Sequence, residues 1–182
     1  MENKTKTYFT SDWHLFHANI IKYSNRPFAD SKEMNQCILD NLNDKVTEKD
    51  WLYFLGDMAF CQEYLLESWL DKLRCKNICV IKGNHDRTAY RIKNRFFLFK
   101  DMCEINIEGQ NITLCHYAMK TWNKSHHGAW HLYGHSHGSL PDDPNLLSID
   151  VGVDTNNFKP YSFEDIANIM AKKKFVPIDH HR

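Results

Sequence analysis

Alternating apolar and polar stretches divide the first half of the chain into predicted strands and helices. Strands are predicted at 6–10, at Trp51–Leu55 and at Ile78–Ile81, and Gly56 and Lys82–Gly83 end the second and third runs. Continuous apolar runs of this length, closed by turn residues, are typical of strands buried on both faces of a sheet. These strands are therefore expected at the centre of the fold.

Helical periodicity separates the predicted strands. A short helix is predicted at 18–23, followed by a proline-containing turn at 25–28. Apolar residues then recur every four positions over 34–46, which predicts a helix with Ser31 as its N-cap. A further helix is predicted over 63–73. Two successive strand–helix–strand units indicate a parallel sheet with helices packed over it.

The second half of the chain has a different pattern. Runs at 103–108 and 111–115 flank Gly109–Gln110, which predicts a hairpin. Two further strands and a final helix are predicted at 131–134, 147–153 and 163–172. The whole pattern indicates an α/β domain with a mixed sheet, or with two sheets packed together, and one domain is expected over residues 1–182.

Composition and charge limit the classes of function. The 182 residues are 42% hydrophobic and 25% charged, as in ordinary globular proteins. The 23 basic and 23 acidic residues balance, whereas proteins that grip long nucleic acids usually carry a basic excess. No apolar run is long enough to span a bilayer, and the first residues lack the apolar core of a signal peptide. A cytoplasmic protein is therefore predicted.

Polar side chains follow each predicted strand of the first half. The first strand leads into Asp12 and His14, the second into Asp57 and the third into Asn84. On an extended segment, residues two apart point to the same side, so Asp12 and His14 are expected to reach one cation. The carboxyl edge of a parallel sheet is the usual place for ligands. Taken singly, such residues more often have ordinary turn or capping roles.

The second half adds imidazole groups to this set. The sequence has eleven histidines, and His116, His135 and His137 follow predicted strands. Mixed carboxylate and imidazole ligands suit manganese, iron, cobalt or zinc better than calcium. A lone His116 would more often be a hydrogen-bonded core residue, so the indication comes from the whole set. His180 and His181 are expected in an exposed tail.

Five short blocks together resemble the signature of the calcineurin-like metallophosphoesterase family. They are Asp12-x-His14, Gly56-Asp57, Gly83-Asn84-His85-Asp86, His116 and Gly134-His135-x-His137. The chain is similar in length to the small bacterial and phage members, and Asp150–Asp154 with Lys159–Ser162 resembles their closing strand and turn. The resemblance implies a metallophosphoesterase-type α/β sandwich with mixed sheets and helices on the outside.

The resemblance also implies a role for each matched residue. One metal would be held by Asp12, His14 and His137, the other by Asn84, His116 and His135, with Asp57 bridging them. Manganese is favoured for both positions, with iron, zinc, cobalt or nickel as the other choices. His85 would contact the phosphate and protonate the leaving alcohol, since imidazole exchanges protons near neutral pH. For Asp86, orienting His85 and capping a helix are both open.

Several further residues are candidates for substrate contact. Asn84 and His85 would contact the phosphate, and Arg26 is a candidate for a second phosphate oxygen. His127 is the candidate from the polar segment 122–128, whose role the sequence leaves undefined. His17 and Asn19 follow the first block closely and either face the site or lie on the surface of a short helix.

The function predicted from these observations is hydrolysis of a phosphate ester by two divalent metal ions. A phosphodiesterase is favoured, and a small, nucleotide-like substrate fits the neutral charge better than a long polymer does. The alternatives are a phosphomonoesterase and a non-catalytic metal-binding scaffold. Nucleic acid is not favoured as a partner, unless Lys172–Lys174 line the approach to the metals. A homo-oligomer stays open; the aromatic residues available for it, or for the core, are Tyr64, Trp69, Phe96 and Phe97.

Overall fold

The apolar strands of the first half form the parallel sheet that the sequence predicts. In a computed structural model, which describes residues 5–178, the five-stranded sheet has the order β4–β3–β2–β1–β9. Its strands are β1 (Thr7–Thr10), β2 (Trp51–Phe54), β3 (Asn77–Ile81), β4 (Leu98–Lys100) and β9 (Tyr161–Ser162). The first four are parallel, and β9 pairs antiparallel with β1. The sequence did not predict β4 or β9.

A second sheet of four strands carries the predicted hairpin. Its strands, in spatial order, are β5 (Met102–Ile107), β6 (Gln110–Cys115), β7 (Trp130–Tyr133) and β8 (Ser148–Asp150). The turn between β5 and β6 places Glu108 and Gly109 at φ 52° and 88°, as a two-residue hairpin requires. Strands β6, β7 and β8 run parallel to one another. The hairpin prediction is confirmed, although the turn lies at Glu108–Gly109 and not at Gly109–Gln110.

Helices lie on the outside of the sheets. They are α1 (Ala18–Tyr23), α2 (Ser31–Lys45), α3 (Glu63–Leu70), α4 (Arg87–Arg91) and α5 (Phe163–Met170). The predicted cap of α2 is wrong by one residue, because Asp30, not Ser31, accepts the backbone N–H of Glu33 at 2.8 Å. Helix α5 begins with a capping box between Ser162 and Asp165.

Two apolar clusters hold these layers together. One lies beneath the helices, where Trp69 and Phe96 are buried; Tyr64 and Phe97 are exposed instead. The other lies between the sheets, and its members include Phe9 of β1, Leu114 of β6 and Leu132 of β7. Burying a side chain of this size contributes about 1.5–3 kcal/mol. The two sheets therefore pack face to face, and the α/β sandwich with mixed sheets is confirmed.

Two further predictions concern the C-terminal histidines and the absence of a membrane-spanning segment. His180 and His181 lie outside the described residues. Within residues 5–178, every helix is too short or too polar to cross a lipid bilayer.

Candidate metal centre

The candidate metal ligands lie where five parallel strands end. Asp12 and Asp57 follow β1 and β2, Asn84 follows β3, His116 follows β6, and His135 follows β7. The two sheets are brought together by the apolar layer between them, so their carboxyl ends meet at one edge of the sandwich. This is the edge where ligands bind to parallel α/β sheets.

The backbone at these positions is left-handed rather than extended. Asp12 and His14 have φ of 58° and 48°, Asp57 has 62°, and His135 and His137 have 67° and 49°. The expectation that Asp12 and His14 converge through strand alternation is therefore wrong, because neither residue is extended. Non-glycine residues rarely adopt positive φ, and such backbone strain concentrates at functional sites.

Asp12, His14 and His137, of which the first two are buried and the third is partly buried, form a cluster that is here called the first group. One ligand atom from each lies within 4.8 Å of the other two. The Nε2 atoms of His14 and His137 both lie 3.9 Å from Oδ1 of Asp12. That Oδ1 and both ring nitrogens of His14 are buried without a hydrogen-bond partner. Orphaned buried polar atoms are costly, so this cluster fits a cation.

Asp57, His116 and His135 form a second group, which is more open. Their ligand atoms also lie within 4.8 Å of one another. Oδ1 of Asn84 lies 3.0 Å from Nε2 of His116, which brings a fourth candidate ligand to this group. Asn84 and His135 are exposed, whereas His116 is buried.

The Asp57 carboxylate connects the two groups. Its Oδ2 lies 3.6 Å from Nε2 of His14 and 3.5 Å from Nε2 of His116. One oxygen atom therefore faces a buried imidazole from each group. This is the position that a bridging ligand between two cations must occupy.

In both Asp12 and Asp57, hydrogen bonds occupy one carboxylate oxygen and leave the other available to bind a cation. Oδ2 of Asp12 accepts bonds from the Ser11 hydroxyl at 2.6 Å and the His135 backbone N–H at 2.9 Å. Oδ1 of Asp57 accepts the His85 backbone N–H at 2.8 Å. The opposite oxygen in each case is the one that faces the candidate ligand cluster.

The imidazoles of His116 and His137 are each oriented by a hydrogen bond from Nδ1. Nδ1 of His116 donates to the Leu55 carbonyl at 2.7 Å, and Nδ1 of His137 donates to Oδ2 of Asp154 at 2.7 Å. With the proton on Nδ1, Nε2 is left with the lone pair that a metal requires. Such outer partners accompany most metal-binding histidines.

Burial and charged neighbours shift the pKa values of the cluster. Burial raises the pKa of Asp12 to about 7 and lowers that of His14 to about 3. For Asp57, burial alone would raise the pKa, but hydrogen bonding to His116 and its charge outweigh burial and lower it. A bound cation favours the carboxylate and the neutral imidazole at such a site, so the donor set fits divalent metal.

His85 lies at the mouth of the cluster, and Asp86 lies beneath it. His85 is exposed, and its ring centroid is 6.0 Å from that of His14. Asp86 accepts the backbone N–H groups of Asp57, Met58 and Gly83 at 2.7–2.9 Å. Neither role considered for Asp86 fits, because its carboxylate caps no helix and fastens the two ligand loops to each other instead.

A cleft of about 510 Å³ opens over both groups. Its floor includes His14, Asp57 and His137, and one wall carries Phe60 and His17. The ring of Phe60 stacks on that of His17 at 4.1 Å and lies 4.9 Å from that of His85. His17 therefore faces the site, whereas Asn19 is exposed and is not among the residues that line this cleft.

Arg26 does not reach the cleft, which corrects its expected contact with phosphate. Its side chain is 4% exposed and donates to both carboxylate oxygens of Asp154 and to the backbone carbonyls of Asp12 and Trp13. The guanidinium group is thus fully engaged beneath the first group. Asp154 contacts both Arg26 and His137, and sequence reasoning gave it no place in the site, although it closes the Asp150–Asp154 stretch already singled out.

The expected substrate contact of His127 is also wrong. The segment 122–128 joins β6 to β7, and the Gly128 carbonyl accepts a bond from Gln110 at the amino end of β6. His127 therefore lies at the edge of the sheet opposite the metal ligands. Lys173 lies at that same edge, where it bonds to the Ser148 carbonyl at the start of β8. Lys173 therefore does not line the approach to the candidate metals.

Comparisons with known proteins agree with this arrangement. A family model described as calcineurin-like phosphoesterase matches residues 5–157. The uncharacterized protein MJ1445 of Methanocaldococcus jannaschii is 34% identical over 177 residues, which cover 94% of each chain. The structure of AQ665 from Aquifex aeolicus, a protein of unknown function, aligns with a TM-score of 0.73 at 23% identity. That alignment covers 91% of this chain and 100% of the Aquifex chain.

Proposed function

The chain belongs to the calcineurin-like phosphoesterase family, and from this premise we propose that it hydrolyses a phosphodiester with a pair of divalent metal ions. The proposed ligands of one ion are Asp12, His14 and His137. Those of the other are Asn84, His116 and His135, with Asp57 shared by both. Manganese is the proposed metal.

The position of the Asp57 carboxylate supports the pair of ions most directly. Its Oδ2 lies about midway between two buried imidazole nitrogens, at 3.6 and 3.5 Å. A carboxylate that served one ion alone would have no reason to face both. Two ions about 3.5–4 Å apart are the usual arrangement when a carboxylate is shared.

The chain's own residues supply orientation and proton transfer. When bound, the metal pair activates water at neutral pH and stabilises the charge that develops on the phosphoryl oxygens. Asn84 adjoins His116 of the second group, and His85 lines the cleft; both would hold the phosphate. His85 is exposed to the cleft and is free to donate its ring proton to the leaving oxygen.

The wall of the cleft favours a small substrate with a planar group. Phe60 is 37% exposed and adjoins both His17 and His85. Tyr23, which also lines the cleft, is 75% exposed. Stacking on such rings suits a nucleobase, which agrees with a nucleotide-like diester.

The test is hydrolysis of bis-p-nitrophenyl phosphate and p-nitrophenyl phosphate by protein that is stripped of metal and reloaded with Mn²⁺. We expect cleavage of the diester. On a cyclic nucleotide, whose alkoxide leaving oxygen must be protonated, we expect His85→Ala to lower kcat by about 10²–10⁴-fold, the usual contribution of a general acid. His127→Ala is the matched control, since this exposed histidine lies at the opposite edge of the sheet.

The remaining outcomes separate the alternatives. Cleavage of the monoester alone would replace this proposal by a phosphomonoesterase. Full metal occupancy without cleavage of either ester, or of a panel of cyclic nucleotides, would favour a metal-binding scaffold. Equal losses in His85→Ala and His127→Ala would remove His85 from the proton-transfer step.

A further inference from the structure

A buried ion pair lies directly beneath the first group. Nε and Nη2 of Arg26 each donate to an oxygen of Asp154 at 2.8 Å, in a two-pronged pair. Both side chains are at least nine-tenths buried. Burying two charges is expensive unless their geometry and remaining hydrogen bonds compensate for the lost water. The hydrogen bonds that compensate for the burial of this pair are therefore those that it makes with the ligand loops above it.

The arginine end of the pair fastens the loop that carries Asp12 and His14. Nη2 of Arg26 donates to the Asp12 carbonyl at 2.7 Å, and Nη1 donates to the Trp13 carbonyl at 3.0 Å. Asp12 and His14 on either side of Trp13 both have left-handed backbones. Two donors from one rigid guanidinium group thus hold the carbonyls of a strained turn.

The carboxylate end of the pair fastens the other loop of the first group. Oδ2 of Asp154 accepts both the guanidinium proton and the Nδ1 proton of His137, the latter at 2.7 Å. His137 also has a left-handed backbone. The pair thereby links two ligand loops, 12–14 and 135–137, that are more than 120 residues apart in sequence.

The second group is supported differently. Nδ1 of His116 donates to a neutral acceptor, the Leu55 carbonyl, while Asn84 and His135 are exposed. A carboxylate partner makes an imidazole a better metal ligand than a neutral carbonyl does, and fixed ligands lose less entropy on binding. The two proposed positions should therefore differ in affinity.

We propose that Arg26 and Asp154 are positioning residues that hold His137 and the Asp12–His14 loop in place for one ion of the pair. This first position then binds its ion more tightly than the second position does. Lysine cannot replace Arg26, because one ammonium group cannot make the two-pronged pair and reach two carbonyls as well.

The test is metal binding by Asp154→Asn and Arg26→Lys, measured as bound Mn²⁺ per chain and by electron paramagnetic resonance. We expect the affinity of one position to fall by about 10–100-fold while the other is unchanged. At an Mn²⁺ concentration that just fills both positions of the unaltered chain, the spectrum of the variants should then change from that of a coupled pair to that of isolated ions. Glu63→Gln is the control, because it breaks an arginine–carboxylate pair that is exposed.

Equal losses of affinity at both positions, or two ions held as tightly as in the unaltered chain, would overturn the inference. A measurement on the unaltered chain decides the case if neither variant folds. With less than one equivalent of Zn²⁺, the ring ¹⁵N signals of His14 and His137 should shift before those of His116 and His135. The reverse or a simultaneous order would contradict the proposal.

This inference rests on the proposed metal pair, and its failure is distinguishable from failure of that proposal. An unaltered chain that binds no metal, or only one ion, would overturn the proposed function. An unaltered chain that binds two ions, with variants that bind them equally well, would overturn the role of Arg26 and Asp154 alone.

Discussion

The two groups of candidate ligands use similar residue types in very different surroundings. In the first group Asp12 and His14 are 0% and 3% exposed, and a buried ion pair supports the cluster from below. In the second group Asn84 and His135 are exposed, and His135 lines the cleft. The first group is suited to holding an ion permanently, and the second leaves room for a phosphate group to approach.

The difference in burial between the two groups also affects the stability of the metal-free fold. The unpaired ring nitrogens of His14 and the unpaired Oδ1 of Asp12 are buried, so the metal-free fold lacks their hydrogen bonds to water. An exposed ligand such as His135 keeps those bonds when no metal is bound. A bound cation would therefore compensate for a stability cost at Asp12 and His14 that the exposed His135 does not incur.

The largest effect on metal affinity is expected at Asp57, the residue that the two groups share. Asp57→Asn should weaken both positions, each by more than about 100-fold, which is above the range seen for residues outside the ligand shell. The reason is that one carboxylate oxygen faces imidazoles of both groups. Calorimetric titration with Mn²⁺ would measure this, and loss of a single ion would show that Asp57 belongs to one group alone.

A smaller effect is expected on the stability of the metal-free fold, where removal of a ligand should stabilise the protein. His14→Leu should raise the free energy of unfolding by about 1–3 kcal/mol, because it removes two buried ring nitrogens without partners. His135→Leu is the matched control, since it also has a left-handed backbone but is exposed. Urea denaturation in a chelator gives both values, and equal changes would contradict the proposed difference between the groups.

The smallest effect concerns the cleft wall beside the groups. Phe60→Leu should raise the KM for a nucleotide diester by about 2–12-fold, corresponding to the loss of about 0.5–1.5 kcal/mol of ring stacking. The KM for an aliphatic diester should change little. Steady-state kinetics on both substrates would test this, and equal changes in the two KM values would remove stacking as the cause.

The central strands and the hairpin were predictable, because their apolar runs and turn residues give strong local signals. Strands β4 and β9 were not, since they have three and two residues at the two edges of the sheet. Segments that short show no periodicity. Their place is decided by pairing with β3 and β1, which the sequence of the segment itself does not display.

The candidate ligands were predictable as a set, but their supports were not. Arg26 lies beside a proline turn, and nothing local indicates that its partner is Asp154, 128 residues away. His127 was misassigned because it lies between ligand blocks in sequence. Parallel strands β6 and β7 require a connection that returns to the opposite edge, and this rule would have placed segment 122–128 away from the metals.

The ion pair between Arg26 and Asp154 also sets an order of events during synthesis. At roughly 5–20 residues per second, a ribosome adds Asp154 roughly 6–26 s after Arg26. Until then the Asp12–His14 turn lacks the contact that joins it to His137. A nascent chain therefore exposes its early histidines and aspartates to the metal ions around it well before the finished first position can select among them.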